Sequence, residues 1–482
     1  MDPRTVGSPS RTAQSSGEGG SSRSVPRLLV AALHSGAGKT MVTAGLIEAL
    51  RSRGQRVAPY KCGPDFLDPQ ILTVAAGGAP ARNLDLWLTP RSRVREAFFH
   101  PGDRAGQSSV RVVEGVMGLF DTDCWGTSTL AVARFLDLPV ILVVDGSRAV
   151  ESVAASIRGA AALAGPGRIA GAVVNGVGPG WHANTIRRAI EERTSTPFLG
   201  ALPWDPSIRL PERHLGLVTP RTDPGRQLGR SIRRAGFWVS ENLDMDRIEG
   251  IMEEAPPMDV PPRGVVPGSR KAPGGAVVAV ARDPAFCFCY PESLEALERT
   301  ARVEYFSPVR GDVLPAGSTA LYLPGGYPEL HAAELGRNEA LRREVRAWVR
   351  DGHPTYAECG GMMYLLESLT LSDGQRFPMA GAVPGRTEMT SRLQGFGYAE
   401  ARVIRTGLMG PRGTRIRGHL FHRSRRRVPD GTRWGFSIHR KAGGDVLRDG
   451  ISGPGLLASY LHIRIDCQLP LVRSLAENGS QG

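Results

Sequence analysis

The feature that most constrains the fold is an alternation of short apolar runs with longer amphipathic segments, which occurs twice along the chain. In the first half the apolar runs include 28–33, 110–113, 140–144 and 169–174, and a second series begins with AVVAVA at residue 276. Short runs that are apolar on both faces, with helices between them, are typical of a mostly parallel sheet in an α/β layer. The sequence therefore predicts two α/β domains.

Composition sets the expected boundaries of these domains. Residues 1–26 are rich in Ser, Gly, Pro and Arg, and we expect them to be disordered because they cannot bury enough apolar surface. Residues 253–275 contain six prolines, which is typical of an interdomain linker. We therefore predict a first domain over 27–252, a second domain over 276–472 and a short tail over 473–482.

A glycine-rich loop directly follows the first predicted strand and opens an amphipathic helix. The loop reads SGAGKT and contains Gly36, Gly38, Lys39 and Thr40. Glycines let backbone N–H groups close around phosphate oxygens, and a helix N-terminus adds the positive end of its dipole. Lys39 is expected to reach the terminal phosphates of ATP, and the Thr40 hydroxyl is expected to bind Mg²⁺.

Two acidic loops follow strands of the same predicted sheet. KCGPDFLDP carries Asp65 and Asp68, and EGVMGLFD carries Glu114 and Asp121. Carboxylates at the carboxyl ends of parallel strands face the crevice in which α/β folds bind ligands. Because Mg²⁺ takes one or two carboxylates together with phosphate oxygens, Glu114 with Asp65 is predicted to complete the metal site at Thr40.

A candidate nucleophile lies in the second half, where PTYAECGGM runs from a strand into a helix. Cys359, with glycines after it, resembles the nucleophile at a sharp strand-to-helix turn, and the helix N-terminus favours its thiolate form. An activated thiol needs a base, and His462 at the end of a late strand is the predicted partner. Gly325 and Gly326 follow another strand and are predicted to supply N–H groups for an oxyanion hole.

Two further histidines, His419 and His422, compete with His462 as the base. Their H-x-x-H spacing is compatible with metal binding, but no acidic or cysteine co-ligands are close in the sequence. We therefore expect a structural or substrate-contacting role for both.

The chain carries a net charge of +13, which leaves two interpretations open. One is an arginine-rich solvated surface, and the other is attraction to a polyanion, either a nucleic acid or a small molecule with many carboxylates. The late arginines lack the interleaved aromatic residues of a single-strand binding groove. No run approaches the roughly 18 apolar residues of a membrane span, and six cysteines without a secretory segment favour a reducing cytoplasm.

With these motifs the chain resembles a known family, the cobyrinate a,c-diamide synthases, which include the hydrogenobyrinate enzymes. The resemblance covers roughly residues 27 to 470 and rests on the order and spacing of several stretches. These stretches are KCGPDFLDP, VEGVMGLFD, LPERHLGLV, ARDPAFCFCYPE, LPGGYPELHA, YAECGGMMYL, PGRTEMTSRLQGFGY and ASYLH.

The resemblance implies a P-loop, dethiobiotin-synthetase-like domain that binds ATP and substrate, followed by a class I glutamine amidotransferase-like domain. It implies that Cys359 and His462 release ammonia from glutamine. It also implies that ATP activates the a and c acetate carboxylates of cobyrinate or hydrogenobyrinate as acyl phosphates during cobalamin biosynthesis. Asp65, Asp68 and Asp121 are implied at the phosphoryl-transfer and substrate site, and Asn175 is implied to read adenine.

Some positions depart from the patterns of related enzymes. Glutaminases of this class usually carry a Glu two residues after the histidine, where this chain has Arg464, so a Cys–His dyad without a third acid is expected. Leu420 replaces a usual Glu, and Phe66 replaces a usual Tyr.

The partners predicted are ATP, L-glutamine and a polycarboxylate tetrapyrrole, without nucleic acid or membrane, and a homodimer stays open. Three alternatives also stay open at this stage. The first is the same diamidation of another tetrapyrrole, such as nickel-sirohydrochlorin. The second is a regulatory P-loop ATPase with an inactive glutaminase domain, and the third is a nucleic-acid-binding protein.

Overall fold

The computed structural model describes most of the chain, in eight ranges: 22–99, 109–122, 127–208, 212–213, 216–217, 226–261, 275–439 and 446–477. Residues 1–21 of the predicted tail, most of the LPERHLGLV stretch, residues 262–274 of the predicted linker and residues 478–482 lie outside the described residues. No helix within these ranges is both long and apolar enough to cross a lipid bilayer.

The first half of the chain forms eleven described strands. They are β1 Ser22–Arg23, β2 Arg27–Ala32, β3 Val57–Cys62, β4 Arg82–Leu84, β5 Val110–Glu114, β6 Val140–Asp145, β7 Ile169–Val177, β8 Phe198–Pro203, β9 Glu212–Arg213, β10 Gly216–Leu217 and β11 Met258–Asp259. Seven of them form a fully parallel sheet in the order β4-β3-β5-β2-β6-β7-β8. The predicted parallel α/β layer is therefore confirmed.

Helices pack on both faces of this sheet. They are α1 Lys39–Ser52, α2 Asp68–Ala75, α3 Arg91–Phe99, α4 Thr129–Phe135, α5 Ser152–Ala164, α6 Trp181–Arg193, α7 Arg226–Asn242 and α8 Met245–Glu253. Successive β2 side chains enter different cores: Leu28 and Val30 join the cluster under α1 and α7, whereas Leu29 and Ala31 join the cluster on the other face. Because a strand alternates its side chains, burial on both faces explains why the run is continuously apolar.

A short strand pair lies outside the large sheet and joins two segments that the sequence assigned to a tail and a linker. Ser22 and Arg23 of β1 pair antiparallel with Asp259 and Met258 of β11. Residues 22–26 are therefore structured, although the composition placed them in a disordered tail over 1–26.

The second half forms fourteen strands within the described ranges. They are β12 Val277–Ala281, β13 Arg302–Phe306, β14 Ala320–Leu323, β15 Thr355–Glu358, β16 Ser368–Thr370, β17 Arg376–Pro378, β18 Arg386–Met389, β19 Gly395–Val403, β20 Arg415–His422, β21 Ser424–Arg427, β22 Trp434–His439, β23 Val446–Gly453, β24 Leu456–Ser459 and β25 His462–Ile463. Ten form one sheet, β13-β12-β14-β15-β24-β23-β22-β19-β20-β25, and four form a smaller one, β17-β16-β18-β21. The larger sheet is parallel from β13 to β24 and antiparallel beyond.

Five helices accompany these strands: α9 Pro291–Thr300, α10 Ala332–Arg337, α11 Glu339–Arg350, α12 Gly360–Leu365 and α13 Leu469–Glu477. The parallel part of the sheet agrees with the predicted second α/β domain. The antiparallel extension through β19 and β20 was not predicted, and its residues Tyr398, Arg417 and His419 contact the first domain.

Polar and aromatic contacts join the two halves of the chain. Arg82 of β4 lies 2.6 Å from Glu295 of α9, and the Tyr398 hydroxyl donates a hydrogen bond of 2.6 Å to Asp85. β4 and the residue that follows it therefore lie directly against the second domain.

Candidate active site

The glycine-rich loop between β2 and α1 has the backbone of a phosphate cradle. Gly36 and Gly38 both adopt φ of +86°, a left-handed conformation that glycine tolerates without steric cost. Lys39 begins α1, and its Nζ donates a hydrogen bond of 3.1 Å to the His34 carbonyl oxygen. The loop opens onto a cavity of about 990 Å³, which is ample for a nucleotide.

Asn175, at the end of β7, packs against this loop from the opposite side. Its Nδ2 donates a hydrogen bond of 3.0 Å to the Ala37 carbonyl oxygen, and a Cβ placed on Gly38 would come within 2.3 Å of the same nitrogen. Asn175 and Gly176 line the nucleotide cavity. The position agrees with a contact to nucleotide, and the predicted reading of adenine stays a prediction.

The acids of the two loops converge on a buried lysine that the sequence analysis did not single out. Lys61, at the end of β3, has its Nζ 2.6 Å from Asp68, 2.8 Å from Glu114 and 4.0 Å from Asp65. Burial lowers the pKa of Lys61, but the attraction of the three carboxylates outweighs it and holds the pKa above its ordinary value. The ammonium therefore holds these acids together at the cavity wall.

The residues predicted to hold Mg²⁺ fit a hard divalent cation. The Thr40 hydroxyl donates a hydrogen bond of 2.7 Å to Glu114 Oε1, so two of the three predicted ligands are already in contact. Glu114 Oε2 is buried and accepts no hydrogen bond from the described residues, and burial raises the pKa of this carboxyl to about 7. An orphaned carboxylate oxygen beside a phosphate loop is a site at which a cation would relieve the cost of burial.

Asp121, the fourth predicted acid, lies apart from this group. It is exposed, and its Oδ2 accepts a hydrogen bond of 2.7 Å from the Gly118 N–H, which closes the turn after β5. Its charge still acts on Lys39. The structure thus gives Asp121 a local role in the loop, and its role in phosphoryl transfer stays a prediction.

Cys359 occupies a strained turn between β15 and α12. It has φ of +42° and ψ of −99°, which are unusual for a residue other than glycine. The following glycines permit this turn, because a Cβ on Gly361 would lie 2.1 Å from the Leu323 carbonyl oxygen. The geometry matches a nucleophile elbow, in which strain keeps the reactive side chain clear of its own backbone.

The Cys359 sulfur acts electrostatically on the imidazole of His462, and a carboxylate lies beside the same ring. Glu358, the residue before the nucleophile, has its Oε2 3.5 Å from His462 Nδ1. Burial lowers the pKa of His462, but the Cys359 sulfur and the Glu358 carboxylate outweigh burial and raise it to about 10. The chain thus carries a carboxylate beside the histidine, which differs from the dyad without a third acid that Arg464 implied.

Glu358 is itself held firmly in place. Its Oε1 accepts hydrogen bonds of 2.7 Å from the Tyr356 hydroxyl and 3.3 Å from the Ile463 N–H, and its Oε2 lies 3.5 Å from the Tyr322 hydroxyl. Arg464 instead pairs with Asp466 at 2.9 Å, so the position of the usual Glu has a structural role here.

We expect Glu358→Gln to lower the rate of glutamine hydrolysis by at least about tenfold, because the neutral amide no longer stabilises the imidazolium of His462. Glutaminase assays across the pH range measure this effect, and the loss should grow as the pH rises towards the pKa of His462. Amidation with added ammonium is the internal control and should be unchanged. A uniform loss of both activities would indicate a damaged fold instead.

Gly325 and Gly326 follow β14 and lie against the catalytic pair. A Cβ on Gly325 would come 2.4 Å from His462 Cε1, and a Cβ on Gly360 would come 3.0 Å from the Gly326 N. The Gly326 N–H donates no hydrogen bond to the described part of the chain. It is therefore available to an oxyanion that forms at Cys359, as the prediction requires.

Phe66 connects the two sites. Its ring centroid lies 5.1 Å from Phe288, 5.2 Å from His462 and 5.5 Å from His419. Its neighbour Asp65 lines the nucleotide cavity. One loop of the first domain therefore has an acid in the nucleotide cavity and an aromatic ring beside the catalytic histidine of the second domain.

The two competing histidines, His419 and His422, both stack on other aromatic rings. His419 stacks on His462 with ring centroids 5.1 Å apart, and burial, with His462 beside it, holds the pKa of His419 well below its ordinary value. His422 stacks on Tyr460 at 3.7 Å. No group of three or more Cys, His, Asp or Glu side chains in the described ranges is arranged to hold a metal ion.

Sequence reasoning missed Lys61, Glu358 and the interdomain position of Phe66. The sequence could have indicated the role of Lys61, because a lysine near the end of a buried strand and beside two acidic loops needs carboxylate partners. The role of Glu358 was harder to predict, because its partner His462 lies 104 residues further along the chain.

Two family models match separate parts of the chain. Residues 28–218 match the CobQ/CobB/MinD/ParA nucleotide binding domain, and residues 277–468 match the CobB/CobQ-like glutamine amidotransferase domain. A cobyrinate a,c-diamide synthase of Dehalococcoides mccartyi is 37% identical over 93% of this chain and 97% of its own length. The proteins of that name from Listeria monocytogenes and Methanothermobacter thermautotrophicus are 37% and 36% identical over 92% and 91% of this chain, and over 98% and 96% of their own.

Proposed function

Because the chain belongs to the cobyrinate a,c-diamide synthase family, we propose that it uses ATP and glutamine to amidate the a and c acetates of cobyrinate or hydrogenobyrinate. This step lies in cobalamin biosynthesis. The proposal has a donor half in the second domain and an acceptor half in the first.

In the donor half, the Cys359 sulfur attacks the side-chain amide carbon of glutamine. The oxyanion that forms is stabilised by backbone N–H groups, among them that of Gly326. His462 passes a proton to the departing nitrogen, ammonia leaves, and a thioester to Cys359 remains. Water then hydrolyses the thioester and releases glutamate.

In the acceptor half, a carboxylate oxygen of the tetrapyrrole attacks the γ-phosphorus of ATP and ADP leaves. Ammonia then attacks the carbonyl carbon of the acyl phosphate, and inorganic phosphate departs as the amide forms. Lys39 and the loop glycines bind the phosphates, and Lys61 fixes the surrounding carboxylates. Mg²⁺, held by Thr40 and Glu114 with Asp65, would neutralise charge on the phosphate oxygens.

The single observation that carries the proposal is the shared loop around Phe66. Free ammonia protonates readily in water, so a donor and an acceptor must lie close together and be shielded from solvent. Asp65 lines the nucleotide cavity while the Phe66 ring packs on His462. This contact supports the transfer of ammonia from the second domain to the first.

We expect Phe66→Ala to reduce the amount of amide formed per glutamine hydrolysed, by at least about twofold, because the ring no longer shields the space between the two sites. Measuring glutamate and amide product in the same reaction gives this ratio directly. The matched control is Phe66→Tyr, which keeps the ring and should keep a ratio close to that of the unaltered protein. An unchanged ratio in Phe66→Ala would contradict the role given to this loop.

The substrate is tested by offering cobyrinate, hydrogenobyrinate and nickel-sirohydrochlorin in parallel with ATP and glutamine. Mass spectrometry should detect the exchange of two hydroxyl groups for two amino groups on cobyrinate or hydrogenobyrinate. A double exchange on nickel-sirohydrochlorin alone would redirect the proposal to that tetrapyrrole. ATP hydrolysis without amidation of any of them would favour the regulatory ATPase.

We also place the reaction in the cytoplasm. Among the described residues, Cys62, Cys359 and Cys467 are free thiols, the state that a reducing compartment preserves.

A further inference from the structure

The β19–β20 hairpin presents a continuous outward face towards the first domain. Residues directly opposite each other on an antiparallel pair share one face of the sheet. Four such cross-strand pairs follow one another along this face: Phe396 with Phe421, Tyr398 with His419, Glu400 with Arg417, and Arg402 with Arg415.

The first domain covers the middle of this face and stops before its aromatic end. Asp85 binds Tyr398, and the Phe66 ring packs 5.5 Å from the ring of His419. The next pair along the hairpin, Phe396 and Phe421, remains 63% and 49% exposed. We call these two residues the aromatic pair; their rings lie 6.1 Å apart.

Contiguous exposed apolar surface that is rimmed by polar residues often marks a binding site. Leu393, three residues before Phe396 in the sequence, is also exposed. The aromatic pair is next along the hairpin to Tyr398 and His419, and His419 packs against Phe66. A ligand that covers the aromatic pair therefore also reaches the loop that contains Phe66.

The surroundings of the aromatic pair are strongly basic. Arg392, Arg423 and Arg425 are exposed and lie within four residues of one of the two phenylalanines. Arg425 Nε donates a hydrogen bond of 2.7 Å to Gln394, whereas Arg423 makes no side-chain hydrogen bond or ion pair with the described residues. The two phenyl rings are inclined by 62° to each other and so offer one ring face and one ring edge to a ligand. An apolar surface bordered by guanidinium groups complements an apolar ring with peripheral carboxylates.

We propose that the aromatic pair is the seat of the tetrapyrrole ring, with Arg423 and Arg425 binding its outer carboxylates. The inference rests on the proposed function and adds the location of its substrate. The tetrapyrrole packs on Phe396 and Phe421, and the edge of its ring points towards the Phe66 loop at the border of the first domain.

The distance along the hairpin suits this arrangement. Consecutive pairs on one face are two residues apart, or about 7 Å. A macrocycle seated on the aromatic pair therefore brings an acetate on its near edge to the Phe66 loop, where Asp65 lines the nucleotide cavity. The opposite edge of the tetrapyrrole remains bound to Arg423 and Arg425.

An apolar seat also suits a reaction on two carboxylates of one ring. Packing against phenyl rings is not directional in the way that hydrogen bonds are. The ring can therefore be seated again after the first amidation so that the second acetate faces the nucleotide. If the aromatic pair binds the tetrapyrrole less tightly, we expect the monoamide to dissociate before the second amidation.

The test uses Phe396→Ala and Phe421→Ala in the full chain, with cobyrinate or hydrogenobyrinate as the probe. Each change should raise the KM for the tetrapyrrole about tenfold, with little change in the KM for ATP or glutamine, and monoamide should accumulate. Arg423→Glu should raise the same KM and make it less sensitive to salt. Phe237→Ala is the matched control, because Phe237 is 69% exposed on α7 and lies outside both sites.

Several outcomes separate this inference from the proposed function. If the unaltered protein amidates no tetrapyrrole, the proposed function fails. If it amidates one but the KM values of both phenylalanine variants match that of Phe237→Ala, the seat is elsewhere and the inference is overturned. Light scattering tests whether a second copy of the chain binds the aromatic pair instead. If a phenylalanine variant no longer forms dimers while its KM for the tetrapyrrole is unchanged, the aromatic pair is a contact between two copies of the chain and the inference is overturned.

Discussion

Cys359→Ala is expected to abolish amidation supported by glutamine and to leave amidation supported by ammonium intact. The sulfur is the atom that forms the thioester, and neither His462 nor Glu358 can replace it as a nucleophile. Loss of a catalytic nucleophile lowers rates by at least about 10³-fold. Amide formation measured with each nitrogen source in turn separates the two halves of the reaction.

The control for this change is Cys467→Ala. Cys467 is a free thiol in the same domain, but its Sγ contacts Asp466 and it lies outside the catalytic pair. It should keep both activities. If Cys359→Ala retained glutamine-supported amidation, or lost the ammonium reaction as well, the division of labour between the domains would be wrong.

Lys39→Ala is expected to stop amidation with both nitrogen sources. Its ammonium group is the cation of the phosphate loop, and removal of one group that stabilises a transition state costs on the order of 10² to 10³ in rate. ADP release and amide formation should fall together, whereas glutamine should still bind to the second domain.

Arg53→Ala is a useful comparison for the lysine variant. Arg53 follows the other end of α1 and pairs with Asp246 and Glu249 on the surface, so its removal deletes a cation near the same helix without altering the phosphate loop. Its rates should match those of the unaltered protein. Residual ATP turnover near normal in Lys39→Ala would show that the loop does not serve phosphoryl transfer.

The sequence predicted those parts of the site that depend on local chain geometry. The phosphate loop follows β2, two acidic loops follow β3 and β5, and Cys359 follows β15, because apolar periodicity and glycine spacing are local properties. These predictions required only the rule that loops at the carboxyl ends of parallel strands share one edge of a sheet.

The remaining parts depend on contacts between distant segments. Glu358 is adjacent to the nucleophile, yet its function follows from the return of the chain at His462. Phe66 looked like a substitution within an acidic loop, and its contact with His462 exists only because the two domains pack together. No local pattern predicts how β19 and β20 meet the first domain.

The central claim is that nitrogen from glutamine reaches two carboxylates of one tetrapyrrole. The most direct measurement supplies glutamine labelled with ¹⁵N in its side-chain amide, together with ATP and the tetrapyrrole, and analyses the product by mass spectrometry. The account predicts two ¹⁵N amides per ring, with one ADP and one glutamate released for each. A product without label, or hydrolysis of both ATP and glutamine without any amide on the ring, would contradict it.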